Sequence, residues 1–100
     1  MAAAVIWSQA SLEDIDAIAD YIHRDSPHHA QRVVEALLAL GESIGEQPLI
    51  GRLAPELADE RIRERFPYSY RLIYEVGERR IEVLAVIHGR WLLESVERLG

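Results

Sequence analysis

Between Arg61 and Arg90 the chain reads RIRERFPYSYRLIYEVGERRIEVLAVIHGR, and this stretch carries most of its arginine. Ser69 to Val76 alternates on a period of two, with Tyr70, Leu72, Tyr74 and Val76 on one side and Arg71, Ile73 and Glu75 on the other. After Gly77 the pattern resumes: Ile81, Val83, Ala85 and Ile87 take one side, and Glu82, Leu84, Val86 and His88 the other. A turn of two or four residues at Gly77 would pair the two apolar rows, because a slip by one residue sends every side chain to the wrong face. Either turn is expected to leave Arg71 and His88 together on the face away from the apolar row. A guanidinium can stabilise an anion, and an imidazole, with an unperturbed pKa near ~6.5, can give or take a proton near neutrality. The pair reads as an active site or as a docking patch.

Other positions that invite a chemical reading have simpler ones. Arg71 serves equally well as a structural ion-pair partner of Glu64 or Glu82. His88, at a strand end, also reads as a hydrogen-bonded structural residue. Arg90 and Trp91 stand where the chain leaves the sheet, as contact residues or as cover for the core edge. Arg61, Arg63 and Arg65 read as a solvated strand face, and Glu13, Asp14, Asp16 and Asp20 as the wet side of a helix. His28 and His29 are adjacent, so on a helix they point in different directions with no third ligand nearby; no metal site and no cofactor are expected.

The elements that would position these groups follow from patterning. Ala4–Trp7 is a short apolar run, read as a buried strand. Ser8 or Ser11 caps the helix that follows, its first turns rich in carboxylates, with Leu12, Ile15, Ile18, Ala19 and Ile22 as its apolar stripe. Ser26-Pro27 opens a second helix, which Pro48 stops. The short link predicts a helical hairpin. Leu49 to Ala58 reads as a loop, Arg61 to Phe66 as the first strand of the meander, and Trp91 to Leu99 as a terminal helix. The predicted class is α+β in the order β-α-α-β-β-β-α, an antiparallel β-meander packed on an N-terminal helical hairpin.

Composition bounds the rest. One hundred residues, 1–100, make a single domain with one modest core. There is no cysteine, hence no disulfide or thiolate chemistry. No apolar run approaches the ~20 residues that span a bilayer, and Met1-Ala-Ala-Ala lacks the basic start of a secretory signal, so a cytoplasmic protein without membrane association is expected. Residues 1–50 carry eight acidic groups against Arg24 and Arg32, a balance of −6, whereas residues 51–100 carry nine of each sign. An acidic chain is poorly suited to sequence-independent nucleic-acid binding.

Taken in order, Val5-Ile6-Trp7-Ser8, Ser11-Leu12-Glu13-Asp14-Ile15, Asp20-Tyr21-Ile22, Asp25-Ser26-Pro27, Gln47-Pro48, Gly51-Arg52, Tyr70-Arg71-Leu72-Ile73-Tyr74 and His88-Gly89-Arg90 resemble the RelE/ParE superfamily, the toxins of bacterial type II toxin–antitoxin modules. The likeness runs over essentially the whole chain. It implies a small toxin, neutralised by a cognate antitoxin in a hetero-oligomer. RelE-like members cut messenger RNA on the ribosome with a basic and aromatic set; ParE-like members, associated with plasmid stabilization, lack that set and poison DNA gyrase. Aligned on Tyr70-Arg71, the two lysines of the nuclease pattern fall at Ile62 and Glu64, the arginine after the Gly-basic pair falls at Trp91, and Glu97 stands near the late aromatic position. Only Arg71 of that set remains. Attack by a 2′-hydroxyl needs a base, an acid and positive charge on the phosphorane. For a nuclease the resemblance therefore implies Arg71, His88 and Glu64 as catalytic residues, with Arg90 able to add charge. For a toxin that binds its target, Arg63, Arg71, His88, Arg90 and Trp91 are the expected contacts. The sequence favours the ParE-like, gyrase-binding branch, with the mRNA endonuclease second and a non-toxic, antitoxin-binding relic third.

Overall fold

The computed structural model describes residues 3–55 and 57–89. The chain forms β1 (Ala4–Trp7), α1 (Gln9–His23), α2 (Pro27–Glu46), β2 (Arg52–Leu53), β3 (Ile62–Arg65), β4 (Tyr70–Val76) and β5 (Arg80–His88). The five strands make one sheet in the order β1-β5-β4-β3-β2; β1 runs parallel to β5 and the remaining pairs are antiparallel. The class is α+β, as the patterning predicts. The expected helix over Trp91–Leu99 lies outside the described residues. No helix among those described is long and apolar enough to cross a membrane.

Local sequence explains both helices. Ser8 caps α1, its side chain accepting from Ser11 N at 3.0 Å, and Ser26 caps α2 by accepting from His29 N at 3.1 Å. Pro27 occupies the first turn of α2, where the missing N–H has no intrahelical role. On α1 the buried stripe runs through Ser11 and Ile15, and the expected Leu12 is 42% exposed. Ser11 can be buried because its hydroxyl donates back to Ser8 O at 2.8 Å.

β1 is an edge strand rather than a buried one: Val5 and Trp7 turn inward while Ile6 is 40% exposed. It lies close to α2 because Gly41 and Gly45 face it. A Cβ on Gly41 would stand 2.4 Å from Trp7 Cζ2, and one on Gly45 2.9 Å from Val5 Cγ2. The residues read as a loop before the meander include a further short strand, β2, which pairs Arg52 with Glu64 and Leu53 with Arg63. The β4–β5 connection leaves Gly77 to Arg80 between the paired Val76 and Ile81, the four-residue form of the expected turn, closed by Gly77 N donating to Arg80 O at 2.9 Å.

The sheet is buried on both faces. Leu72, Tyr74, Ile81, Val83 and Val86 pack against Ile15 of α1 and Val33, Leu37 and Ile44 of α2. On the opposite face Ala54, Ile62, Ile73, Ala85 and Ile87 form a second, smaller core. The side chains of β5 change face between the two halves of the strand. Val83 pairs with Tyr74 and Ala85 with Ile73, so Leu84 is an extra residue, a β-bulge. Before it Ile81 and Val83 face the helices; after it Val86 does, and Ala85 and Ile87 face away.

Candidate functional site

The bulge overturns the expected Arg71–His88 pair. A regular alternation would carry His88 to Arg71's side. With Leu84 interposed, Tyr70 pairs with His88 and Arg71 with Ile87, and residues directly opposite across a ladder share a face. His88 therefore stands with Tyr70 on the helix side, and Arg71 lies with Ile73 on the other. The expected constellation is divided between two surfaces.

On Arg71's face of the sheet, Glu64 is the centre, close to the β2–β3 edge. It is 1% exposed and lies between two arginines: Arg71 Nη2 donates to its Oε1, and Arg52 Nε donates to its Oε2 at 2.5 Å. Arg71 is itself 4% exposed, whereas the Arg52 side chain is 66% exposed. Phe66 lies beside both guanidinium groups, with Cζ of Arg52 4.9 Å and Cζ of Arg71 5.9 Å from its ring centroid. This is the ion pair that the simpler reading of Arg71 anticipates. A carboxylate so engaged has two cations to neutralise and is badly placed to act as a base. Glu64 and His88 also project from opposite faces, so the acid–base pair implied for a nuclease is not assembled.

Arg63 points the other way, half-buried on the helix side opposite Tyr74, and its Nη1 donates to Gly51 O at 2.9 Å. Tyr74, fully buried, holds the same segment: its hydroxyl accepts from Gly51 N at 2.9 Å and donates to Pro48 O at 2.8 Å. Burial, ahead of any other influence, raises the Tyr74 phenol's pKa, while the hydrogen bond received from Gly51 N, which favours the phenolate, works against it. The strap from Gln47 to Gly51 is thereby fixed, and it delivers Arg52 to Glu64. Arg90 and Trp91 lie outside the described residues.

The helix-side surface contains a groove of about 780 Å³ between α1, the start of α2 and the far ends of β4 and β5. Asp14, Tyr21, His29, Tyr68, Tyr70 and His88 supply its polar and aromatic lining, with Ile18, Ile22 and Val33 at the floor. Two edge-to-face ring pairs border it, Tyr70 with His88 and His29 with Tyr68, each with centroids 5.9 Å apart. Tyr68 sits at the β3–β4 turn with φ 55°, a left-handed conformation uncommon outside glycine, and the turn is closed by Tyr70 N donating to Pro67 O at 3.1 Å. Desolvation, with a smaller effect from Tyr21, raises the Tyr70 phenol's pKa. None of the described residues lining the groove is arginine or lysine. Such a surface can bind apolar and aromatic side chains, but among the described residues it offers no guanidinium or ammonium group to a phosphorane.

Of these groove residues, patterning picks out His88 alone as a site residue. Tyr70 reads as one more member of an apolar row, and His29 as half of an unconvincing metal pair. Asp14 reads as solvated, yet it is half-buried and its Oδ2 accepts from Val86 N at 2.8 Å. No local signal marks that contact, since its partners are 72 residues apart.

Comparison with known proteins agrees with this architecture. Residues 5–92 match the family described as the ParE toxin of the type II toxin–antitoxin system, parDE. The chain is 35% identical over 86 residues to Toxin RelE2 of Caulobacter vibrioides, a match spanning 86% of this chain and 94% of that protein. Among solved structures it is similar to the chromosomal ParDE toxin–antitoxin system from P. aeruginosa, with a TM-score of 0.71 at 18% identity over 86% of this chain and 95% of that one. It is also similar to the toxin–antitoxin complex RelBE2 from Mycobacterium tuberculosis, with a TM-score of 0.62 at 19% identity over 88% and 99% of the two chains.

Proposed function

Because the chain belongs to the ParE toxin family of type II toxin–antitoxin systems, we propose that it is a ParE-like growth inhibitor that acts by binding DNA gyrase, without breaking bonds itself, and that a cognate antitoxin neutralises it. The observation that carries the reading is the division of the implied nuclease set. Arg71 and Glu64 are bound to each other in the sheet's far face, and His88 stands on the near face beside Tyr70. Phosphodiester cleavage needs acid, base and cation within reach of one phosphate, whereas target binding needs only an accessible, chemically mixed surface. Residues 1–100 act as one domain in this reading. Purified protein is expected to block supercoiling or to trap cleaved DNA in a gyrase assay; supercoiling unaffected at micromolar excess rejects the proposal.

A relative that carries the name RelE2 at 35% identity supports a second reading, a ribosome-dependent mRNA endonuclease. In that case messenger RNA should be cut in the ribosomal A site of a translating extract, and His88→Ala should abolish the cut without changing the melting temperature. For the antitoxin, two surfaces supply docking area. One is the aromatic groove. The other is a channel of about 650 Å³ in which small residues of α2, Ala36, Ala39 and Ser43, face Arg52, Arg65 and Phe66. A helical or extended segment that orders on such surfaces binds tightly yet remains switchable. Co-expression with the short open reading frame adjacent to the gene should restore growth and yield a co-purifying complex.

A further inference from the structure

The far half of β5 has no hydrophobic reason to prefer one face. Residues 83–87 are Val-Leu-Ala-Val-Ile, apolar without interruption. With Leu84 bulged, Val86 and His88 face the helices, and Ala85 and Ile87 face away. With Leu84 drawn into the ladder, it would lie opposite Ile73, Ala85 opposite Leu72, Val86 opposite Arg71 and Ile87 opposite Tyr70. His88 would then share Arg71's face. Both arrangements bury aliphatic side chains on both sides, and a strand that is apolar on both faces specifies its register weakly.

What separates the two is α1. β1 ends at Trp7, so beyond Val83 no strand among the described residues lies beside the outer edge of β5. The carbonyls of Val83 and Leu84 both turn to that edge, and Ser8 meets both: its N–H donates to Val83 O at 3.1 Å and its Oγ to Leu84 O at 3.2 Å. Two residues after Leu84 the N–H of Val86 turns the same way and donates to Asp14 Oδ2 at 2.8 Å. In a regular strand alternate residues address alternate edges. After Val83, the outer edge would then receive Ala85 and Ile87, and Leu84 and Val86 would turn to β4. The contacts to Leu84 O and Val86 N thus exist only in the bulged register.

We propose that Asp14, with Ser8, is a positioning residue that hydrogen-bonds the outer edge of β5 as a neighbouring strand would, selects the bulged register and so decides that His88 faces the aromatic groove rather than Arg71. The assignment is independent of the target, because it concerns which of two surfaces the toxin displays.

The test is NMR on the full chain, reading the His88–Tyr70 ring cross-peak and the exchange rate of the Val86 amide. Asp14→Asn keeps an acceptor oxygen and should preserve both. Asp14→Ala should lose the cross-peak, show Ile87 against Tyr70 instead, and exchange Val86 about tenfold faster or more. Deleting Leu84 in the Asp14→Ala background removes the bulge and returns Val86 and His88 to the helix side by plain alternation, so the His88–Tyr70 cross-peak should return. The proposal is overturned if Asp14→Ala retains the wild-type cross-peak with Val86 exchange within about twofold of wild type. It is equally overturned if Asp14→Ala does not fold and deleting Leu84 restores neither the fold nor the contact.

Discussion

Replacing Tyr74 with phenylalanine tests how the strap before β2 is held. The ring is fully buried, and its hydroxyl bridges Gly51 N at 2.9 Å and Pro48 O at 2.8 Å. The substitution removes one oxygen, so the hydrophobic contribution is almost unchanged and the effect isolates the two hydrogen bonds. Gly51 is buried, and its N–H would lose its partner at a cost of about 1–3 kcal/mol; the half-buried Pro48 carbonyl, nearer to water, adds about 0.5–1.5 kcal/mol. Water cannot easily take the vacated place, because Gly51 stays hemmed in by groups the substitution keeps: a Cβ there would lie 2.7 Å from Glu64 O and 3.0 Å from Cε1 of the ring itself. The sum is about 2–4 kcal/mol, which for a domain of this size lowers the melting temperature by roughly 10–25 °C yet leaves the protein folded at room temperature. Thermal and urea unfolding followed by far-UV circular dichroism would read the loss, with amide exchange at Gly51 as the local report. If the strap detaches by itself, Gly51 exchanges faster and the melting temperature moves less. A variant with an unshifted melt and an unchanged Gly51 amide would refute the reasoning.

Gly41→Ala should cost about 1–3 kcal/mol by driving a methyl into Trp7, and Trp7→Leu in the same chain should recover part of the loss in a urea titration. Arg71→Leu leaves the buried Glu64 carboxylate to Arg52, whose side chain is two-thirds exposed, and should cost about 2–4 kcal/mol. Replacing Glu64 and Arg71 together by leucine should be much milder, so toxicity lost in Arg71→Leu must be compared with the melt before it is assigned to the target. The pKa values of Tyr70 and Tyr74 are raised from 10.0 in the folded chain, so their contribution to stability is full below that pH and declines as pH climbs through the folded values. A tyrosinate absorbance titration should show both ionising late, together with the onset of alkaline unfolding.

The caps at Ser8 and Ser26, the helical hairpin and the period-two strands are legible in sequence because each is a local pattern of residue types. The short β2 is not: two residues next to a glycine carry no periodicity, and Arg52–Leu53 becomes a strand only because Arg63 and Tyr74 fasten the strap beside it. The exchange of faces within β5 is hidden for a different reason. Val83 to Ile87 satisfies either alternation, and the deciding groups, Ser8 and Asp14, lie on a distant helix. The ion pair of Arg71 with Glu64 was readable as one of two possibilities, and strand pairing chose between Glu64 and Glu82. The groove was not readable at all, since Tyr21, His29, Tyr68 and Tyr70 meet only after the elements have packed.

The parallel pairing of β1 with β5 constrains when this toxin can come into being. β1 leaves the ribosome well before its hydrogen-bonded neighbour at Arg80–Val83, which stands nearly at the far end of the described chain. Until those residues have emerged, Ala4–Trp7 has only α2 to rest on, and neither Ser8 nor Asp14 has an edge to seal. Contacts of such sequence separation form late and slowly. A ribosome still translating the message therefore carries an unfinished sheet without the groove or the ordered end of β5, and a nascent antitoxin has that interval in which to reach the toxin before it is complete.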